Sequence, residues 1–375
     1  MSRLMIRCAA LLILLIGFSV AAARGLAGGN IPPRTWLAWW HNPDLRRVAD
    51  LMVWDGERIR RIAEVRFSTA TFFEGVDAGL SPPKWSNDGR LAWSNGFSIN
   101  VWDGTTLLTF GSRDDDLSPV WSHDGRLAWA AIGRERRIML WNGGDDEPTV
   151  LASHRLSIGG LSWSYDGRLA WAADGDIFVW DGNTMVTVSQ PEMLGEEFSR
   201  LVWSRDGRLA WDAYESPDAT TRDIFVWDGV TVTKISQSEA SDTVPAWASD
   251  GRLAWEVGES RQHTIVIWNH GVVSALSSQS SLTNLSPMWS HDDRLAWMNT
   301  DSVHSSILVW NGGDTMQVSS GLPRSYQPNW SADGWLAWVS PDAARSRMGV
   351  YIWDGSRRVR LGDGTSDPVW SPPLY

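Results

Sequence analysis

A tryptophan-bounded stretch, Trp163-Ser-Tyr-Asp-Gly-Arg-Leu-Ala-Trp171, recurs along this chain and limits what it can fold into. Copies begin at Trp85, Trp121, Trp203, Trp247, Trp289 and Trp330, and Trp370 opens a last, partial one. A period of about forty residues suits propeller blades and some helical arrays. The content of the period separates them. Val, Ile, Trp, Phe and Thr fill the regular segments, Gly or Asp-Gly closes them, and no segment beyond the N-terminus keeps an i, i+3, i+4 apolar pattern. The expectation is an all-β chain.

One period divides into four short strands. In the third copy they are predicted at Leu161–Ser164 (a), Gly167–Trp171 (b), Asp176–Trp180 (c) and Thr184–Ser189 (d). Ser-Tyr-Asp-Gly joins a to b, with Gly supplying the positive φ. Asp181-Gly182 joins c to d and is a type I′ hairpin signal. Asp293 stands in place of the first-turn Gly in one copy, and Asp is among the residues that tolerate that conformation.

The ends of the repeat complement each other. The first blade reads as Thr35–Trp40 (b), Leu51–Trp54 (c) and Arg58–Ala63 (d), with no strand a. The chain finishes on Pro368–Ser371, a strand a with nothing after it. Pairing the two completes an eighth blade and removes the open end of the array. An eight-bladed β-propeller follows, with seven blades as the alternative if the first blade packs outside the ring. Strands a, b and c take one Trp each per blade. Of the 27 Trp, the repeat leaves over Trp36, Trp335 and one of the pair Trp39/Trp40.

Residues 1–24 read as a segment apart. Arg3 and Arg7 precede the apolar run Cys8–Ala23, and Ala21–Ala23 fits a small-residue cleavage site. The run is shorter than the roughly twenty residues that span a bilayer. A cleaved signal peptide or a retained membrane anchor are both open, and either exports the protein to the periplasm, the outside or the outer face of the cytoplasmic membrane. Residues 25–34 are a Gly/Pro linker and 35–375 the propeller. Cys8 is the only Cys, so the propeller holds no disulfide or thiol chemistry. A net charge of −11 speaks against a nucleic-acid partner.

Trp-Ser-x-Asp-Gly followed by an apolar strand resembles the WD40-like repeat of TolB-type bacterial propellers. Trp85, Ser86, Asp88 and Gly89 match that motif, as do Trp121, Ser122, Asp124 and Gly125. The resemblance covers the seven full copies and implies a propeller with an envelope-facing scaffold or binding role. Two departures stand out. The family's Pro before Asp is replaced by Asn87, His123, Tyr165, Arg205, Ser249, His291 and Ala332, and nothing corresponds to TolB's separate α/β domain.

Function is expected on the edge that carries the variable b–c and d–a connections, since binding residues concentrate on variable loops held by a rigid scaffold. Long b–c loops are expected at Asp212–Arg222, Glu256–His263, Met298–Ser305 and Val339–Met348. Candidate contacts on that face are Phe72, Phe73, Asp114, Asp115, Asp116, Glu196, Glu197, Arg200, Tyr326 and Asp367. The turn aspartates recur in every blade, so they read as turn formers rather than catalytic acids. No catalytic residue, cofactor or metal ligand set emerges. The His spacings do not suit zinc, and Asp363–Asp367 lacks the alternating oxygens of a calcium loop. The expectation is a monomeric, non-catalytic scaffold for a protein or cell-envelope ligand. A carbohydrate-binding propeller and a hydrolase or lyase with a site at the channel mouth are the alternatives.

Overall fold

The computed structural model describes residues 35–42, 48–66, 81–111, 114–188, 200–216, 218–259, 262–276, 282–301, 303–322, 324–342, 347–366 and 368–373. They form strands from β1 (Leu37–His41) to β32 (Val369–Trp370), sorted into eight four-stranded antiparallel sheets. Each sheet is one blade, which answers the question between eight blades and seven. Among the described residues no helix is long and apolar enough to cross a membrane. The segment expected to be a leader lies outside them.

The burial pattern follows from blade stacking. Strand b is covered by a neighbouring blade on each face, so Leu91, Ala92 and Trp93, and Leu169, Ala170 and Trp171, are all buried without alternation. Strand d lies at the rim, and its residues, as at Met185–Thr187, are exposed. The core is therefore a circle of inter-blade clusters rather than one centre. One joins Ala170, Ile177 and Val179 of one blade to Leu209, Trp211 and Phe225 of the next.

The first sheet runs in the order Ile59–Arg66, Val48–Trp54, Leu37–His41, Val369–Trp370. Leu37 faces Trp370 and Ala38 faces Val369. The Ser371 amide donates to the Trp36 carbonyl (2.7 Å), and the Trp36 amide donates to Ser371 Oγ (2.7 Å). The end of the chain thus supplies the missing strand of the first blade, as the repeat arithmetic anticipates.

The b and c strands run further than the sequence suggests. Leu253–Glu259 and Gln262–Asn269 stay paired out to Glu259 opposite Gln262, and Thr300 and Ser305, and Asp342 and Arg347, also pair. Much of what reads as long b–c loop is ladder. Polar side chains at these positions obscure the strand signal, but the backbone pairs regardless.

Strand a carries a recurrent bulge. Ser118 (φ 53°), Gly160 (63°), Val244 (55°), Ser286 (57°) and Gln327 (58°) are left-handed where the a–b register shifts. The preceding blade holds the bulge in two cases. The Val244 amide donates to Asp212 Oδ1 (3.3 Å) and the Ser286 amide to Glu256 Oε1 (2.6 Å).

A second repeated contact ties each a–b turn to the next blade. The Arg90 guanidinium lies 4.5 Å from the Trp121 ring centre and 5.4 Å from that of Trp141, and its Nη2 donates to the Gly125 carbonyl (2.9 Å). Arg126, Arg168, Arg208, Arg252 and Arg294 stack likewise on the a- and c-strand Trp of the following blade. The turn Gly is needed here twice over. Gly125 has φ 86°, and a Cβ on it would lie 2.7 Å from Arg90 Nη2.

The two remaining junctions use Trp in the Arg position. Trp36-Leu-Ala-Trp39 and Trp335-Leu-Ala-Trp338 repeat Arg90-Leu-Ala-Trp93 with that one change. Trp36 sits 6.0 Å from Trp85 and 6.2 Å from Trp102, and Trp335 shares a core cluster with Trp54 and Trp370. The surplus tryptophans thus flank the blade built from both chain ends. Trp39 takes the ordinary strand-b place, and the third surplus residue is Trp40, whose Nε1 donates to the Ser81 carbonyl (3.2 Å).

Candidate functional site

The a–b turns surround a basin of about 630 Å³ at one mouth of the central channel, with strand-a tryptophans from Trp85 round to Trp330 in its wall. Turn chemistry decides which side chains reach it. In Ser164-Tyr-Asp-Gly-Arg168, the Arg168 amide donates to Ser164 Oγ (2.8 Å), the Ser164 hydroxyl bonds to Asp166, and Arg168 Nε donates to Asp166 Oδ1 (3.1 Å). Ser, Asp and Arg are consumed by the turn and the inter-blade stack. The residue between Ser and Asp has no part in either. Asn87, His123, Tyr165, Arg205, Ser249, His291 and Ala332 occupy that place, and all seven line the basin.

Seven of the eight strand-a indoles bind the blade before them. Trp121 Nε1 donates to the Lys84 carbonyl (3.0 Å), Trp163 to Val120 (3.1 Å), and Trp370 to Asn329 (3.1 Å). Trp85, Trp203, Trp247 and Trp330 do the same. This belt sets the spacing of the turns above it.

The ring is uneven. Asn87 Nδ2 bonds to His123 Nδ1 and donates to the His123 carbonyl (3.0 Å). The His123 ring lies 4.5 Å from that of Tyr165, and the Arg205 guanidinium, from the next blade, lies 5.7 Å from the Tyr165 ring. Four consecutive blades thereby present one interlocked arc. The opposite side carries two small residues, Ser249, whose Oγ bonds Asp293 Oδ1 (2.8 Å), and Ala332, with His291 between them. These bonds join side chains to carbonyls, amides and carboxylates, and none links a hydroxyl to an imidazole nitrogen.

Charge at the basin differs from charge on the chain. Among the described residues no Asp or Glu lines it, and Arg205 is its permanent cation. Six turn aspartates are paired with their own arginines, for instance Asp88 with Arg90 (2.8 Å) and Asp292 with Arg294 (3.0 Å), whereas the Asp333 turn has Trp335 in that place. Burial pushes the Asp88 carboxyl up, but bonds from Arg90 and Ser86 and the Arg90 charge outweigh it and hold the group below its ordinary range. Asp124, Asp166, Asp206 and Asp292 are held down in the same way.

Of the residues singled out from the sequence, Phe72, Phe73, Glu196, Glu197 and Asp367 lie outside the described residues. Asp114 is ion-paired with Arg137. Asp115 opens a strand, and Asp116 is buried, with its carboxylate accepting from Trp129 Nε1 (2.9 Å). Arg200 is exposed just before Val202–Trp203, and Tyr326 starts a strand and packs against the cluster holding Trp39 and Trp54. They sit on three different blades.

Several other buried polar groups are partners for strand-b indoles. Trp171 Nε1 donates to His154 Nε2 (3.0 Å), Trp255 to Asp242 (2.5 Å) and Trp297 to Asn284 (2.9 Å). Asp212 is fully buried beside Arg222 (2.9 Å). Burial raises the Asp242 carboxyl against the pull of its bonds from Ser238 and Trp255. Among the described residues no group of three or more His, Cys, Asp or Glu could hold a metal ion.

No family model and no curated protein sequence matches the chain. Solved propellers do. The β-propeller domain of the Trilobed protease from Pyrococcus furiosus, whose topology is described as open velcro, matches at 12% identity over 76% of this chain and 98% of that one, with a TM-score of 0.55. The acylaminoacyl peptidase of Pyrococcus horikoshii matches at 14% identity and a TM-score of 0.53, over 76% of this chain and 52% of that one. This chain therefore spans about half the length of that peptidase. TolB from Acinetobacter baumannii matches more loosely, at 16% identity and a TM-score of 0.44, over 87% and 79%. At these identities the likeness concerns the fold. It nonetheless corrects the expectation of a non-catalytic binding scaffold: the same architecture occurs as a propeller domain in peptidases.

Proposed function

We propose that this propeller works together with a peptide-hydrolysing activity and takes its ligand at the channel mouth framed by the a–b turns. One observation carries the reading. Within a turn repeated almost unchanged around the ring, the single position that varies freely is the one whose side chain faces the basin. Asn87, His123, Tyr165 and Arg205 also touch one another between blades, but Tyr165 and Arg205 stay exposed toward the basin while doing so. Variation on a rigid scaffold is the usual layout of a recognition surface. The peptide assignment rests on the peptidase propellers that share the fold, which is an analogy of architecture.

The test is binding of a fluorescent peptide pool, measured by anisotropy. Ser249→Trp and Ala332→Trp together should block the mouth and weaken binding at least about tenfold, some 1.4 kcal/mol. Arg200→Ala should leave it unchanged. Binding that survives the blocked mouth sinks the site. The hydrolase association is tested in extract of the producing cell. Added intact chain should alter the rate of peptide hydrolysis and the blocked variant should not; equal rates sink it. The apolar stretch Cys8–Ala23 favours doing this outside the cytoplasm, and an activity reporter that matures only after export, fused after residue 375, would check that.

A further inference from the structure

We infer that the arc of His123, Tyr165 and Arg205 is a subsite for a carboxylate, specifically the free C-terminal carboxylate of a peptide whose last side chain is aromatic or apolar. This rests on the reading that ligands enter at the a–b turn mouth.

Three features of the basin converge on this chemistry. The first is the sign of its field. The whole chain carries a net charge of −11, yet among the described residues no carboxylate lines the basin. The acids of the turns that carry the arc are held in ion pairs with the turn arginines, for example Asp166 with Arg168 (3.0 Å) and Asp206 with Arg208 (3.1 Å). What remains is Arg205, a planar fork of donors suited to a carboxylate. The acidic remainder of the chain repels anions elsewhere, so the basin is where one is tolerated.

The second is preorganisation. Arg205 is not a lone surface cation. It lies over Tyr165, which is packed on His123, which is bonded to Asn87 from the blade before. Each member comes from a different blade, and the blades are fixed by the indole belt and the Arg–Trp stacks below. Less rotamer freedom is lost on binding than for an Arg free in solvent.

The third is the neighbour that Arg205 keeps. Tyr165 is 57% exposed, an aromatic face in water beside a cation. A ligand group that fills that face must be apolar or aromatic and must sit next to the charge. A terminal carboxylate adjacent to an aromatic or branched side chain has that layout. Inorganic phosphate lacks the neighbouring apolar group, and an internal Asp or Glu places its carboxylate at the end of a flexible arm.

The test uses the full chain and two probes, the tripeptide Gly-Gly-Phe with a free C-terminus and its C-terminal amide, titrated calorimetrically. The expected result is that the acid binds at least about tenfold more tightly than the amide, and that raising the salt narrows the gap. Arg205→Gln should abolish the preference, weakening the acid at least about tenfold and the amide much less. Arg205→Lys should keep part of it. Tyr165→Ala should weaken both probes. Equal binding of acid and amide, with Tyr165→Ala still weakening both, overturns the carboxylate subsite and leaves the mouth as the ligand site. Inorganic phosphate displacing the acid at equal concentration also overturns it. Binding of neither probe overturns the carboxylate subsite together with the reading it rests on.

Discussion

Closure of the ring by the last strand can be measured through Trp370→Ala. Trp370 is 6% exposed, packs edge-on to Trp54 at 6.2 Å, shares a cluster with Trp335, and donates from Nε1 to the Asn329 carbonyl (3.1 Å). A buried indole removes about 150–250 Å² from water, some 4–6 kcal/mol of gross transfer energy. Large-to-small core changes of this kind cost about 3–5 kcal/mol. The backbone anchorage is much thinner. It consists of two paired residues, the Ser371–Trp36 exchange, and the bond from Trp85 Nε1 to the Val369 carbonyl (3.1 Å). At about 1 kcal/mol net for each hydrogen bond, these contacts roughly offset the entropy of ordering the few residues concerned, about 1–2 kcal/mol each. The indole therefore does most of the closing, and deleting residues 368–375 should cost about as much as Trp370→Ala alone, about 3–5 kcal/mol. Urea unfolding followed by near-ultraviolet circular dichroism reads both variants. The point mutant should shift the midpoint at an unchanged m-value. A loss under about 1 kcal/mol, which is less than the lower bound for such a truncation, would refute the closure argument.

Three further outcomes follow from the packing. Arg168→Ala removes a guanidinium stacked 4.6 Å from Trp203 and bonded to the Gly207 carbonyl (2.9 Å); it should cost about 2 kcal/mol in urea unfolding, with Arg168→Lys recovering less than half because it cannot both stack and donate in plane. Acid should weaken the ring. The carboxyls of Asp88, Asp124, Asp166, Asp206 and Asp292 are held below their unfolded value, so their stabilisation is fully present above about pH 4 and drains away as pH falls through the folded values. Stability measured from pH 6 to pH 2 should decline, and replacing all five by Asn should flatten that slope; an unchanged slope contradicts the pairing. Val244 holds φ 55°, a conformation unfavourable for a β-branched residue by about 1–2 kcal/mol or more. Val244→Gly keeps the amide that bonds Asp212 and should raise stability by about 0.5–1 kcal/mol after the entropy of Gly is charged against it; a fall in the melting temperature refutes the strain.

The sequence alone determined the things that repeat. Strand order, the hairpin turns at Asp-Gly and Asn-Gly, eight blades and the partner of the last strand all follow from motifs within one period, because a blade is a local meander of neighbouring strands. The surplus tryptophans were visible too, though not their purpose. Tertiary structure decided everything that passes between blades. Trp36 and Trp335 replace Arg at the two junctions of the composite blade, and only the stacking of one blade on the next makes that substitution meaningful. Asp116 reads as a loop acid and proves to be an indole's acceptor inside the protein, because the strand extends through it and the Trp129 ring reaches it from the adjacent strand. The mouth at the a–b turns was not singled out from the sequence, which pointed to the opposite edge of the blades. His123, Tyr165 and Arg205 stand out from the sequence as departures from a repeat, some forty residues apart along the chain. They become one surface because ring closure turns a period in sequence into an angle about an axis, and places equivalent turns side by side around the channel.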